Sequence, residues 1–78
     1  MIMDIKEFIQ NFADLFDDTD DSLITTETKF RDLDEWSSLI ALSTMSMIDD
    51  EYDVQLSAEQ MRNANTVQDL IDIVKAAE

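Results

Sequence analysis

The chain has 78 residues, and 19 Asp and Glu against 5 Lys and Arg give it a net charge of −14. It contains no Gly, Pro, Cys or His, which excludes disulfides, the usual zinc sites, Cys–His or Ser–His–Asp catalysis and glycine-rich phosphate loops. The negative charge also argues against a nucleic-acid partner, because binding to phosphates needs basic side chains. The length suits one domain, which we expect over residues 1–78.

The first predicted element is an amphipathic helix over residues 2–16. Its apolar residues recur at steps of three and four, which is the spacing of one helix face. A polar run over residues 17–22 ends this pattern, and a long loop follows to about residue 35. Because loops of this length are seldom without anchors, we expect the apolar residues of this segment to pack on the core. They are Leu23, Ile24, Phe30, Leu33 and Trp36.

Three further helices are predicted after the loop. The second helix runs from about Ser37 to Tyr52, a short third helix starts with the capping-box sequence SAEQ at 57–60 and ends near Arg62, and the fourth starts at Thr66 with an acid in its first turn. The predicted inward residues are Leu39, Leu42, Met45, Ile48 and Tyr52 on the second helix and Val67, Leu70, Ile71 and Val74 on the fourth. No segment has the pattern of a strand. The predicted fold is therefore all-α, a small four-helix bundle with a long loop after helix 1 and a short third helix.

The acidic run Asp17–Asp21 does not have the pattern of a calcium-binding loop. With Asp18 as the first ligand, Leu23 stands at the sixth position, which requires glycine, and Lys29 stands at the twelfth, which requires Glu. We therefore interpret the run as a solvated loop and predict no metal site. No apolar stretch approaches the ~18 residues of a membrane span, and the N-terminus carries an acid instead of the basic residues of a secretory signal. We expect a cytoplasmic protein without membrane insertion.

Ser38 is the candidate functional residue. It lies in the first turn of the second predicted helix, where backbone N–H groups and the helix dipole favour a phosphate on the serine oxygen. No base adjoins it in the sequence, so it suits modification by another enzyme better than nucleophilic catalysis, and we predict no catalytic residue. On the residues alone, the alternative is that Ser37 or Ser38 simply caps the helix.

Three segments resemble the acyl carrier protein family over nearly the whole chain. They are FRDLDEWSSL at 30–39, DDEYDVQL at 49–56 and TVQDLI at 66–71. In that family, the serine of an Asp-Ser-Leu motif carries 4′-phosphopantetheine, whose thiol holds acyl groups as thioesters. The resemblance implies a non-enzymatic acyl carrier protein of fatty-acid, polyketide or related biosynthesis, with the covalent group on Ser38.

The chain departs from the family motif at Ser37, where the family has Asp. Serine caps a helix about as well as aspartate, but the change removes a carboxylate that the family offers to the transferase. Asp34 and Glu35 lie just upstream and are expected to compensate in part. We assign the attachment to Ser38 and not to Ser37, because Leu39 follows it and because Ser37 serves as the cap.

The resemblance also implies the partners: a phosphopantetheinyl transferase and acyl-processing enzymes, whose basic patches would be steered to the acidic surface. The expected contact residues are Leu39, Ile40, Asp49, Asp50 and Glu51. The residues expected to shelter an acyl chain, between the second and third helices, are Met45, Ile48, Leu56 and Met61. We expect a monomer. The alternative function is an acidic helical protein-binding module without a prosthetic group, which the charge alone supports.

A second departure concerns the side of the second helix that we expect to be exposed. It carries Ile40, Ser43, Thr44 and Ser46 at positions that tend to be acidic in carriers of housekeeping fatty-acid synthesis. A specialised carrier therefore fits the sequence at least as well.

Overall fold

The computed structural model describes residues 4–77 and contains four α-helices. They are α1 (Ile5–Ala13), α2 (Ser38–Tyr52), α3 (Ala58–Asn63) and α4 (Val67–Ala77), and two 3₁₀ turns, Asp21–Leu23 and Phe30–Asp32, lie between α1 and α2. Within residues 4–77, the β pairing is limited to one isolated antiparallel bridge between Lys29 and Thr66. The predicted all-α bundle with a short third helix is confirmed. Within residues 4–77, no helix is long and apolar enough to cross a bilayer.

One hydrophobic core joins the helices and the long loop. Its fully buried apolar side chains are Phe8, Phe12, Phe30, Ile48, Val67, Leu70, Ile71 and Val74. Phe12 of α1 and Phe30 of the loop meet edge to face, with ring centroids 6.0 Å apart. All four residues predicted to face inward on the last helix belong to this core, so that prediction is confirmed.

The first helix is shorter than predicted. Residues 2 and 3 of the predicted range lie outside the described residues, and α1 begins after Asp4, whose carboxylate caps its first backbone N–H groups. The predicted end is wrong, because α1 ends at Ala13. The N–H of Leu15 then bonds to the carbonyl of Phe12 and that of Phe16 to the carbonyl of Ala13, which is the tighter i→i−3 pattern. Phe16 lies beyond the end of α1 but is still buried in the core.

The inward side of α2 agrees only in part with the predicted one. Ile48 is buried as predicted, and Met45 and Tyr52 are partly buried against the core. Leu39 and Leu42 are instead 71% and 63% exposed. Thr44 and Met47, which lie outside the predicted stripe, are buried. The prediction is wrong for Leu39 and Leu42, because apolar residues occur all round α2 and their spacing does not select one face.

Thr44 is a polar residue on the buried side of α2. Its hydroxyl donates a hydrogen bond of 2.8 Å to the carbonyl of Ile40, so the buried polar group is satisfied. Ile40 and Ser43 are half-buried, and of the four residues expected to be exposed on this side only Ser46 is exposed. The comparison with the surfaces of housekeeping carriers therefore does not hold for these positions.

The long loop is tied to the start of α4. The N–H of Val67 donates to the carbonyl of Thr28 at 3.1 Å, and the N–H of Gln68 donates to the carbonyl of Thr26 at 2.8 Å. These bonds satisfy N–H groups that have no partner within the helix. The loop is thus an ordered part of the fold.

Most of the predicted loop anchors do pack on the core. Ile24 and Phe30 are buried, and Leu33 and Trp36 are partly buried against the core. Leu23 is the exception, since 61% of its side chain is exposed on the first 3₁₀ turn.

The segment between α2 and α3 contains the C-cap of α2 and the capping box of α3. Helix α2 ends at Tyr52, and its C-cap residue Asp53 adopts the left-handed region, with φ 57° and ψ 38°, where aspartate is one of the few residues besides glycine that is tolerated. The capping box predicted for α3 is confirmed. The N–H of Ser57 donates to Gln60 Oε1, and the N–H of Gln60 donates to Ser57 Oγ, both at 3.0 Å.

Candidate functional site

Ser37 and Ser38 lie at the start of α2 in different roles. Ser37 is the N-cap residue, with an extended backbone, and its Oγ accepts a hydrogen bond of 3.3 Å from the N–H of Ile40. Ser38 is the first residue of the helix, and its side chain is exposed. The predicted capping by Ser37 is confirmed, and the Ser38 hydroxyl is accessible to a modifying enzyme.

The start of α2 differs electrostatically from that of the other helices. Helices α1, α3 and α4 have Glu7, Glu59 and Asp69 in their first turns, whereas the first turn of α2 has no acid. Free N–H groups and the helix dipole make a helix N-terminus positive. A phosphodiester on Ser38 would lie where this potential is not offset by a first-turn acid, so the site fits such a group.

The loop before α2 is held by the carboxylate of Glu35. Its Oε1 accepts hydrogen bonds from the Asp18 N–H at 2.9 Å and from the N–H and hydroxyl of Thr19, both at 2.8 Å, and its Oε2 accepts one from the Asp17 N–H at 2.7 Å. The Thr19 hydroxyl, joined by these N–H donors, lowers the pKa of Glu35 below its ordinary value. We call this group of bonds the Glu35 cluster.

The Glu35 cluster fixes the acidic run to the residue two positions before Ser37. The sequence did not reveal it, because the partners are 16 to 18 positions apart and no local pattern links them. Among residues 4–77, no group of three or more His, Cys, Asp or Glu side chains is arranged to hold a metal ion.

The Glu35 cluster also bears on the missing aspartate of the motif. The sequence predicts that Asp34 and Glu35 both compensate in part for the aspartate that Ser37 replaces. Glu35 is already engaged by the loop, whereas the side chain of Asp34 is exposed. Of these two carboxylates, Asp34 is the one free to meet a transferase.

We expect Glu35→Gln to lower the melting temperature at pH 7, because an amide offers an NH₂ group to N–H donors that now face a carboxylate. Folding lowers the pKa of Glu35, so its stabilisation is present above the unfolded pKa and is lost as the pH falls through the folded one. The gap in melting temperature between variant and parent should therefore shrink below about pH 4.3. Thermal unfolding followed by circular dichroism measures the melting temperatures of variant and parent at each pH.

Asp34→Asn is the matched control for Glu35→Gln. It removes the same charge from an exposed neighbour, and relief of repulsion in this acidic protein should leave the melting temperature unchanged or raise it. If both variants melt like the parent at pH 7, the Glu35 cluster contributes nothing to stability.

Trp36 packs against the aromatic part of the core. Its ring centroid lies 4.6 Å from that of Phe30 and 6.5 Å from those of Phe12 and Phe16. The side chain is half-buried. The predicted anchoring of the loop by Trp36 is confirmed, and Trp36 also lines the groove next to Ser38.

A groove of about 570 Å³ lies beside Ser38, between α2 and α3. It is lined by Arg31, Trp36, Ser37, Ser38, Ala41, Leu42, Met45, Ala58, Met61 and Arg62, and we call it the Ser38 groove. The groove lies between the two helices as predicted, and Met45 and Met61 line it. Ile48 and Leu56, which are buried in the core, do not line it.

The predicted contact residues are for the most part exposed. Leu39, Asp49, Asp50 and Glu51 are exposed, and Ile40 is half-buried. Together with Leu42, which is also exposed, they make the surface of α2 apolar near Ser38 and acidic at its far end.

A family model described as the phosphopantetheine attachment site matches residues 6–74 of the chain. The match includes Ser38 and all the residues that line the Ser38 groove. It confirms the resemblance that the sequence motifs indicate. No individual curated protein is significantly similar to the chain.

Proposed function

Because the chain belongs to the family of phosphopantetheine attachment domains, we propose that it is an acyl carrier protein that is modified on Ser38 and has no catalytic activity of its own. When bound, the 4′-phosphopantetheine group supplies a thiol that holds acyl intermediates of fatty-acid, polyketide or related biosynthesis as thioesters. The observation that carries the proposal is the pair of serines at the start of α2. One caps the helix, and the other is exposed.

Three features of the chain support modification at Ser38. Ser37 satisfies an N–H group of the first turn, so the Ser38 oxygen has no part in holding the helix. The first turn of α2 has no acid, so the positive end of its dipole is available to stabilise the charge of a phosphodiester. The aromatic contacts of Trp36 hold the preceding loop against the core.

The surface of α2 supports the proposed partners. Exposed Leu39 and Leu42 lie close to Ser38 along the helix, and Asp49, Asp50 and Glu51 follow at its far end. This arrangement suits a transferase and acyl-processing enzymes that carry a basic patch around an apolar contact. Attraction between such patches would raise the association rate, and added salt would reduce it. We propose that the carrier is a monomer.

The experiment that tests the proposal is loading by a transferase. The unmodified protein is incubated with coenzyme A and a broad-specificity phosphopantetheinyl transferase, and its intact mass is measured. We expect an increase equal to one 4′-phosphopantetheinyl group, and no increase when the transferase is omitted. A protein that keeps its unmodified mass with several transferases of different specificity would contradict the proposal and favour an acidic binding module without a prosthetic group.

A further inference from the structure

The Ser38 groove differs in charge from the rest of the protein. Of the 78 residues, 19 are acidic, yet none of the described residues that line the groove is Asp or Glu. The only two arginines of the chain, Arg31 and Arg62, both line it. In a protein with a net charge of −14, this groove is therefore a place where an anion meets positive side chains.

Arg31 is held in place by neutral partners. Its Nε donates to the carbonyl of Ala64 at 3.1 Å and its Nη2 to the carbonyl of Met61 at 2.5 Å, and its guanidinium carbon lies 5.8 Å from the centroid of the Phe30 ring. These contacts fix the guanidinium at the end of α3 without neutralising it. They also leave N–H donors of the guanidinium for another acceptor.

Arg62 lies in the last turn of α3, and its side chain is exposed. A positive residue at this place also complements the helix dipole, but that effect does not require the side chain to line the groove. The two arginines share the groove with Trp36, Met45 and Met61. The lining therefore combines an apolar surface with two groups that recognise carboxylates.

We propose that the cargo sheltered in the Ser38 groove is an acyl group that ends in a carboxylate, and that Arg62, with Arg31 beside it, binds this carboxylate. The inference rests on the proposed function, because the cargo reaches the groove only from an arm on Ser38. A plain hydrocarbon chain would cover guanidinium groups without replacing their hydration. An acyl group with a short apolar body and a terminal carboxylate matches both parts of the lining, and the groove, at about 570 Å³, is large enough for a small ligand.

The test compares two cargoes of nearly equal size. The protein is loaded from glutaryl-coenzyme A, or from the monomethyl ester of the same thioester, by a broad-specificity transferase, and the mass confirms the loading. The glutaryl cargo carries ¹³C in its terminal carboxyl group. An NMR titration gives the acid dissociation constant of this group in the parent and in Arg62→Gln. We expect this constant to be about threefold to fivefold larger in the parent, because a nearby guanidinium favours the ionised form.

Lys75→Gln is the matched control. It removes the same charge from an exposed residue of α4, which does not line the Ser38 groove, and should change the dissociation constant far less than Arg62→Gln. Arg62→Lys keeps the charge and should restore most of the parent value. Equal effects of Arg62→Gln and Lys75→Gln would overturn the proposal, because they would show that the dissociation constant responds only to the net charge of the protein.

A further comparison separates the cargo from the phosphodiester of the arm. Backbone ¹H–¹⁵N shifts of groove residues are recorded with the arm alone, with glutaryl and with the methyl ester. We expect Arg62→Gln to alter these shifts chiefly in the glutaryl form. Shifts that change equally with the arm alone would place Arg62 at the phosphodiester and overturn the proposal. Failure to load appears in the mass before any titration and contradicts the proposed function itself.

Discussion

Ser38→Ala should abolish loading by a phosphopantetheinyl transferase, whereas Ser37→Ala should still accept one group. The two hydroxyls are adjacent in sequence, but only that of Ser37 is bonded to the Ile40 N–H as the helix cap. The exposed Ser38 hydroxyl can be replaced without loss of a helix contact, so the helix content of Ser38→Ala should match that of the parent. Intact mass measures loading, and circular dichroism measures helix content.

Ser37→Ala and Ser38→Ala should also differ in the free energy of unfolding. Removal of a serine N-cap costs about 1 kcal/mol, so Ser37→Ala should lower the free energy of unfolding by about that amount, measured by urea denaturation. Ser38→Ala should leave it nearly unchanged. Peptide mapping that finds the group on Ser37 would contradict the assignment of the attachment site while leaving the carrier function intact.

Ser37→Asp tests whether the carboxylate missing from the motif affects the rate of loading. It restores the aspartate of the family motif, keeps a side chain that caps a helix well, and adds a carboxylate next to Ser38. Glu35 is engaged by the loop and Asp34 is exposed, so of these two carboxylates only Asp34 is available to the transferase. We expect Ser37→Asp to load faster than the parent. An equal rate would show that the transferase does not use this carboxylate.

The parts of the fold that the sequence predicts are those specified by local patterns. The capping box at Ser57 and the inward face of α4 follow from spacings of three and four residues, and both are present. The buried face of α2 could not be read in this way, because apolar residues surround the helix and because Thr44 is buried through a bond to its own backbone. There, packing against the other helices determines which side is buried.

The site shows the same division between local and distant contacts. The roles of Ser37 and Ser38 follow from their places at one helix start, which the sequence marks. The Glu35 cluster and the bonds from Arg31 to α3 join segments 16 to 33 positions apart. Such contacts leave no periodic signal, so the engagement of Glu35 and the positive lining of the Ser38 groove appear only in the folded chain.

Trp36→Ala should be the most destabilising of the substitutions considered. Trp36 is the only tryptophan, and its ring lies against Phe12, Phe16 and Phe30, at a closest centroid distance of 4.6 Å. Through these contacts it attaches the end of the long loop to α1, just before the helix that presents Ser38. Truncation of a packed tryptophan costs about 3 kcal/mol, and we expect the free energy of unfolding to fall by about that amount.

Urea denaturation followed by circular dichroism measures this loss, since the variant has no tryptophan fluorescence. Leu42→Ala is the matched control, because Leu42 lines the same groove but is 63% exposed, and substitutions at exposed positions usually change stability by about 0.5 kcal/mol or less. A Trp36→Ala protein as stable as the parent but slower in transfer with partner enzymes would reassign Trp36 from loop anchor to recognition residue. Because Trp36 anchors the loop to the core, its loss should weaken the whole fold, and any loss of loading should follow the loss of folded protein.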